Sequence, residues 1–170
     1  MNRVMYLLRY GYRRLGVVPA ALVVCMALLL SLAPAHAGKY SERYTRISMA
    51  LVEKGKAALD KADLKAASEA FEQAVVANPQ NALGFTYLGL TKLRMGDKPV
   101  AKKYFDIALE IDPNQIQALS WAGQADLSAS NLESAEAKLQ RLSRLCGPNC
   151  TEYKQLSEAV SSYKTTNPAN

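Results

Sequence analysis

The stretch ALGFTYLGLTKLRMGDKPVAKKYFDIALEIDPNQ, residues 82–115, is one copy of a pattern that the chain states three times. Gly89 within it has counterparts at Gly55 and Gly123, each 34 residues away. In the same step run Ala67, Ala101 and Ala135; Phe71, Phe105 and Leu139; Ala74, Ala108 and Leu142; and Leu51, Phe85 and Leu119. One recurring residue has little weight, but several columns in register are hard to obtain by chance. Self-similarity at a period near 34 residues marks a solenoid of helix–turn–helix units, so residues 48–81, 82–115 and 116–149 read as three helical hairpins.

The columns have a packing reason. A glycine on the first helix and an alanine on the second let two helix axes approach, because a larger side chain would hold them apart. Phe71 and Phe105 follow their alanines by four residues, which places them on the same helical face for burial against the first helix and the next unit. Asn78-Pro79 and Asp112-Pro113 end the second helices, since proline lacks a donor and drives the residue before it out of the helical region. The first helix is predicted to begin within Tyr40 to Arg46 and run to Leu59, followed by helices over 64–77, 82–94, 98–111, 116–128 and 132–145. Asp63, Asp97 and Asn131 are placed to cap the second helices, Gly96 makes a turn, and Pro99 sits in a first turn that tolerates it. A seventh helix over 151–164, capped by Thr151, carries Tyr153, Leu156, Val160 and Tyr163 along one face and covers the open end of the array. Residues 165–170 are polar and are expected to form a disordered tail.

These residues resemble the tetratricopeptide repeat family, whose repeat carries a large apolar residue, a leucine-glycine pair, then alanine, aromatic, alanine and proline at fixed offsets. Residues 82–115 match best, through Phe85, Leu88, Gly89, Gly96, Ala101, Phe105, Ala108 and Pro113. Residues 48–81 have Lys54 in place of the leucine but keep Leu51, Gly55, Ala67, Phe71, Ala74 and Pro79. Residues 116–149 keep Leu119, Gly123 and Ala135, then depart: Leu139 replaces the aromatic, Leu142 the small residue, and Gly147-Pro148 the proline. The resemblance implies an all-α solenoid, and it specifies a fold better than a function.

Residues 1–37 differ in composition. Arg3, Arg9, Arg13 and Arg14 give a basic start without an acid, Val17 to Leu32 are almost wholly apolar, and Pro34-Ala35-His36-Ala37 closes the run. Those three regions are expected to be a secretory signal peptide, cut after the small residues Ala35 and Ala37. The alternative is a retained membrane anchor, because Leu15 to Ala37 is an uncharged stretch of 23 residues and about 20 suffice to span a bilayer. The proline and the small-x-small ending favour cleavage. Arg13-Arg14 sits in a poor context for twin-arginine export, and Cys25 follows Val24 where lipid attachment needs a small residue, so it reads as part of the apolar segment.

Setting that segment aside changes the meaning of the charge. The chain is +6 overall, but four of its 21 basic residues lie in residues 1–37, leaving 17 against 15 acidic and a charge of +2. Bases and acids are interspersed, without the concentrated basic stripe that nucleic-acid binding calls for. The one histidine, His36, lies in the same segment, so residues 38–170 have none of the commonest general base and metal ligand. No phosphate-binding glycine loop is present either. Asp60 with Asp63, and Glu133 with Glu136, read as turn and helix-start acids rather than an acid–base pair. The sequence therefore predicts a protein that is not an enzyme and has no cofactor, no metal site and no nucleic-acid partner.

Cys146 and Cys150 bracket Gly147-Pro148-Asn149 between the third hairpin and the last helix. In an oxidising compartment they are expected to form a disulfide tying the cap to the array. A redox-active pair is the sharper alternative, but the spacing is C-x-x-x-C and no cation or histidine stands by to activate a thiol.

In the family the first helices line a concave groove that holds a partner's peptide or helix. The corresponding offsets here are Val52, Lys56 and Leu59; Thr86, Leu90, Leu93 and Arg94; and Ser120, Gln124 and Leu127. Some branches grip a terminal carboxylate with lysine, asparagine and arginine, but the matching places hold Val52, Lys56, Tyr87, Gln117 and Trp121, so that clamp is missing. Such a groove suits an apolar or amphipathic segment, although the same leucines, and Trp121, also fit inter-repeat core. The expectation is a non-catalytic scaffold or assembly factor of a bacterial envelope, periplasmic or secreted, that binds another envelope protein. The alternative is an accessory subunit of an inner-membrane complex, held by residues 15–37 with its repeats in the periplasm. A thiol-redox protein using Cys146 and Cys150 stands third.

Overall fold

A computed structural model describes residues 34–168. It contains two units: of Met1–Ser41 only residues 34–41 are described, and they are helical, while Glu42–Asn170 holds the repeats. The elements are α1 (Pro34–Asp60), α2 (Leu64–Ala77), α3 (Ala82–Arg94), α4 (Lys98–Ile111), α5 (Ile116–Ser128), α6 (Leu132–Leu145) and α7 (Thr151–Thr166), with no strand among the described residues. The expected signal or anchor segment lies outside them, apart from the backbone of 34–37, which is helical. Among the described residues no helix is long and apolar enough to cross a membrane.

The predicted caps form for the reason given. Asp63 accepts from the Ala66 amide at 2.9 Å, Asp97 from Val100 at 3.3 Å and Asn131 from Ser134 at 3.1 Å, so each second helix has one of its orphan donors satisfied. Three boundaries differ from expectation. Helix α1 is described from Pro34 rather than from Tyr40 to Arg46, a position that proline tolerates near a helix start. Helix α7 is capped by Cys150, whose sulfur accepts from the Tyr153 amide at 3.4 Å, and Thr151 is its first helical residue. It also continues to Thr166, where the Thr165 and Thr166 hydroxyls donate to the Ser162 carbonyl, so the expected tail is shorter by two residues.

The turn inside each hairpin repeats in conformation although not in residue. Ala62, Gly96 and Ser130 occupy the same place and all have left-handed backbone, with φ of 57°, 88° and 61°. Only glycine adopts that region freely; for other residues it costs about 1–2 kcal/mol. Ala62→Gly and Ser130→Gly are therefore each expected to stabilise the fold by about 0.5–1 kcal/mol, after the extra chain entropy of glycine is subtracted. A higher urea midpoint at constant m-value checks this, and a lowered midpoint refutes it.

Within the hairpins the glycines are receptacles. A Cβ on Gly55 would lie 2.4 Å from Phe71 Cε1, and one on Gly89 would lie 2.7 Å from Phe105 Cε1. Both rings are fully buried. Gly123 is filled differently. Its neighbour is Leu156 of α7, at 2.6 Å, and not Leu139 of α6. Helix α7 thus takes up the role that the second helix plays in the first two hairpins. It packs on both α5 and α6.

Two apolar clusters result. The first centres on Val52, Phe71, Leu88 and Phe105 and extends to Ala122 and Ala125. The second joins Leu119, Leu142, Leu156 and Val160, and Leu109 touches both. Buried polar groups lock the junctions. Asn81 Nδ2 donates to Ser48 Oγ at 2.7 Å, Ser48 Oγ donates to the Ala74 carbonyl at 2.7 Å, and Asn81 Oδ1 accepts from Gly84 N at 3.1 Å. At the third hairpin Lys138 Nζ and Ser134 Oγ both donate to Asp126 Oδ2, at 2.6 and 2.8 Å. Among the described residues no buried side-chain nitrogen or oxygen lacks a partner.

Candidate functional site

Helices α1, α3 and α5 supply the face on which a groove was expected, but the packing uses up much of it. Val52 and Leu59 belong to the first cluster. Thr86 is fully buried and its hydroxyl donates to its own helix at the Ala82 carbonyl, 2.7 Å away. Ser120 is fully buried and donates to the Glu152 carbonyl of α7 at 3.2 Å. Lys56 remains half-buried, and Glu53 at 3.0 Å holds its ammonium above the ordinary lysine pKa, the hydrogen bond outweighing the desolvation that opposes it. None of these five lines the groove described next.

The other five do converge. Leu90, Leu93, Arg94 and Gln124 line a groove of about 560 Å³. Gln124 and Leu127 line its continuation, of about 430 Å³. The two share Gln124, Ala159 and Ser162, so they form one trough between the first helices and α7. Leu90 and Leu127 are nearly buried and form floor, whereas Leu93 is half-buried and Arg94 exposed.

Sequence reasoning missed the far wall. Gln155, Glu158, Ala159 and Ser162 of α7 complete the groove, and Trp121 lines it too. The signal on α7 was partial: Leu156 and Val160 pack inward, so the polar Gln155, Glu158 and Ser162 beside them face outward, while Ala159 packs at the margin of the second cluster. Trp121 belongs to an aromatic row. Its ring meets Tyr87 edge-on at 5.3 Å, Tyr87 stacks on Phe71 at 5.4 Å, and Lys56 Nζ lies 5.9 Å from the Tyr87 centroid. Such contacts fix ring positions before any ligand arrives. Trp121 is thereby both partly buried in the first cluster and part of the groove wall.

Cys146 and Cys150 lie at the near end of α7, with sulfurs 2.00 Å apart and Cα atoms 5.8 Å apart. That Cα separation is within the span a disulfide requires. The pair sits in the α6–α7 loop and lines neither cavity.

Comparison with known proteins agrees with this architecture. Residues 49–81 match the tetratricopeptide repeat family model. Over 117 residues the chain is 32% identical to cellulose synthase operon protein C of Pseudomonas fluorescens (strain SBW25), a match that spans 69% of this chain and 9% of that protein. Among solved structures, the TPR2B domain of yeast Sti1 in a pHsp70 complex superposes with a TM-score of 0.65 at 18% identity, covering 72% of this chain and 99% of that one. The first TPR of Spaghetti (RPAP3) bound to an HSP90 peptide gives 0.61 at 22% identity, covering 69% and 98%. The Yersinia enterocolitica type III secretion chaperone SycD in complex with a peptide of the translocator YopD gives 0.58 at 22%, covering 69% and 89%. With the 34-residue period, the glycine receptacles and the paired helices, these matches lead to one conclusion: the three hairpins form an all-α solenoid with the tetratricopeptide repeat fold, and residues 49–81 match that family's model.

Proposed function

We propose that this chain is a non-catalytic interaction scaffold or assembly factor of the bacterial envelope, holding an apolar or amphipathic segment of another protein in the trough between α3, α5 and α7. The observation that carries the reading is a groove with an apolar floor and partly exposed Leu93 and Trp121, built on helices whose core is fully packed. Sites on rigid elements bind without first ordering themselves. Proteins of similar fold hold peptides: the first TPR of RPAP3 is bound to an HSP90 peptide, and SycD to a peptide of the translocator YopD. The envelope assignment rests on the basic and apolar residues 1–37 and on the paired cysteines in a chain without histidine beyond His36. We propose the disulfide as a tether for α7.

The test is site-specific photocrosslinking in cells. A crosslinker at Leu93 is expected to capture a protein that one at Lys103, exposed on α4, does not. Leu93→Glu should reduce groove binding at least tenfold while the protein stays folded, because Leu93 packs only at the margin of the first cluster. Equal capture from both sites would refute the proposal. Leu93 is the residue to change, because Leu90→Glu would place a charge in the first cluster and unfold what it was meant to probe.

A second reading, retention at the inner membrane, is favoured by one observation: the backbone is helical from Pro34, across the expected cut after Ala37. The mass of the cellular protein separates the two. Residues 1–37 still attached in the membrane fraction would establish the anchored form.

A further inference from the structure

Helix α1 is the open end of the array. Its residues Arg43, Ile47, Ala50 and Lys54, spaced i, i+4, i+7 and i+11, share one helical face, and all four are exposed. One repeat later, Gly84 and Leu88 of α3 stand in the places of Ala50 and Lys54, and two repeats later Ala118 and Ala122 of α5 do. Leu88, Ala118 and Ala122 are buried, and a Cβ on Gly84 would lie 3.1 Å from Val75 of α2. This is the face with which a first helix meets the hairpin before it. Among the described residues α1 has no such hairpin, which accounts for Lys54 where the repeat carries leucine. The end of a solenoid needs a polar outer face, and the far end has one, since every exposed residue of α7 is polar. The near end differs. Tyr44 is 48% and Ile47 39% exposed there, beside Arg43 and Lys54. The acids of α1, Glu42, Glu53 and Asp60, fall on a different stripe, at i, i+11 and i+18.

We propose, resting on the second reading of retention at the inner membrane, that this face of α1 lies on the surface of an anionic bilayer. Arg43 and Lys54 meet lipid phosphates, and Tyr44 and Ile47 enter the boundary between headgroups and acyl chains, the division of labour of an interfacial helix. The reach is short. Tyr44 follows Ala37 by seven residues, so in any conformation it stands within about 25 Å of the uncharged stretch 15–37. A tether of that length keeps the local lipid concentration high, and a weak contact then suffices to orient the array. A second copy is the poorer occupant, because a two-fold contact through this face would bring its cationic stripe against itself.

Tryptophan fluorescence of the full chain reconstituted in vesicles tests this, with Trp121→Phe removing the one native tryptophan. The reporter is Tyr44→Trp on α1 or, as a control, Lys103→Trp at an exposed position of α4. In vesicles of phosphatidylcholine with phosphatidylglycerol, the α1 reporter is expected to shift to the blue and to be quenched by brominated lipid, and the α4 reporter to do neither. Phosphatidylcholine alone, or high salt, should diminish both effects. Arg43→Glu with Lys54→Glu changes two exposed residues, so the chain should stay folded. It should lower the ratio of docked to undocked arrays at least about twentyfold, from two cations at about fivefold each. Equal quenching of the α1 reporter in neutral and anionic vesicles, or no response to the double reversal, would overturn the proposal. So would equal quenching at both reporters, which means a contact without orientation. Because the chain in the vesicles keeps residues 1–37, such a failure leaves the retention reading standing. A cellular protein that lacks them would instead overturn that reading, whatever the vesicles show.

Discussion

Phe105→Ala is expected to lower the free energy of unfolding by about 3–5 kcal/mol, the usual cost of removing a buried aromatic ring. The ring is fully buried and fills the notch left by Gly89, so its loss leaves a cavity that rigid helices on both sides cannot close. The receptacle account makes a second, stricter prediction. Gly89→Ala alone should destabilise, because the added methyl would stand 2.7 Å from the ring and 3.2 Å from the Ala101 carbonyl oxygen. In the Phe105→Ala background the ring clash is gone, and the same substitution should stabilise by about 0.5–1 kcal/mol through helix propensity. Urea unfolding of the four proteins measures the coupling. Additive effects would show that Gly89 is not there for Phe105.

The other large effect is expected at the third hairpin. Asp126 is almost wholly buried, its side chain 6% exposed, and Lys138, 18% exposed, is its one ion-pair partner among the described residues. Lys138→Met should destabilise by about 3–5 kcal/mol, because it leaves a carboxylate in a dry site with only the Ser134 hydroxyl to answer it. Adding Asp126→Asn removes the orphaned charge, and the double variant should recover most of the loss. Thermal unfolding of both decides the matter. A cost under about 1 kcal/mol for Lys138→Met would mean that the pair behaves like an exposed one.

Much of the fold was legible because the packing rule is local. Glycine, alanine and phenylalanine recur at fixed offsets, and the helix ends carry proline, aspartate and asparagine that stop or cap for stated reasons. Five helices, 64–77 through 132–145, fall where those signals place them. Thr151 misled because it is a good capping residue standing beside a cysteine whose sulfur accepts instead. Leu139 misled by arithmetic. It occupies the column of Phe71 and Phe105, but a leucine is too short to do a phenylalanine's work, and spacing does not reveal which leucine in space takes the vacancy. The groove was legible only by half. Offsets identify residues on the concave side without saying which are buried by packing, as Val52, Thr86 and Ser120 are. The α7 wall escaped because covering an array's end and lining its groove look alike in sequence.

The transfer of the plug at Gly123 also sets an order in time. Gly55 and Gly89 each receive a ring from sixteen residues downstream, so either hairpin has its closing contact once its own second helix has emerged from the ribosome. Gly123 waits for Leu156, thirty-three residues on. Loop closure over the longer span comes at a greater entropic cost. The third hairpin, and the trough that α7 completes, would therefore become structured after the first two hairpins. A chain released early would carry two finished repeats and no groove.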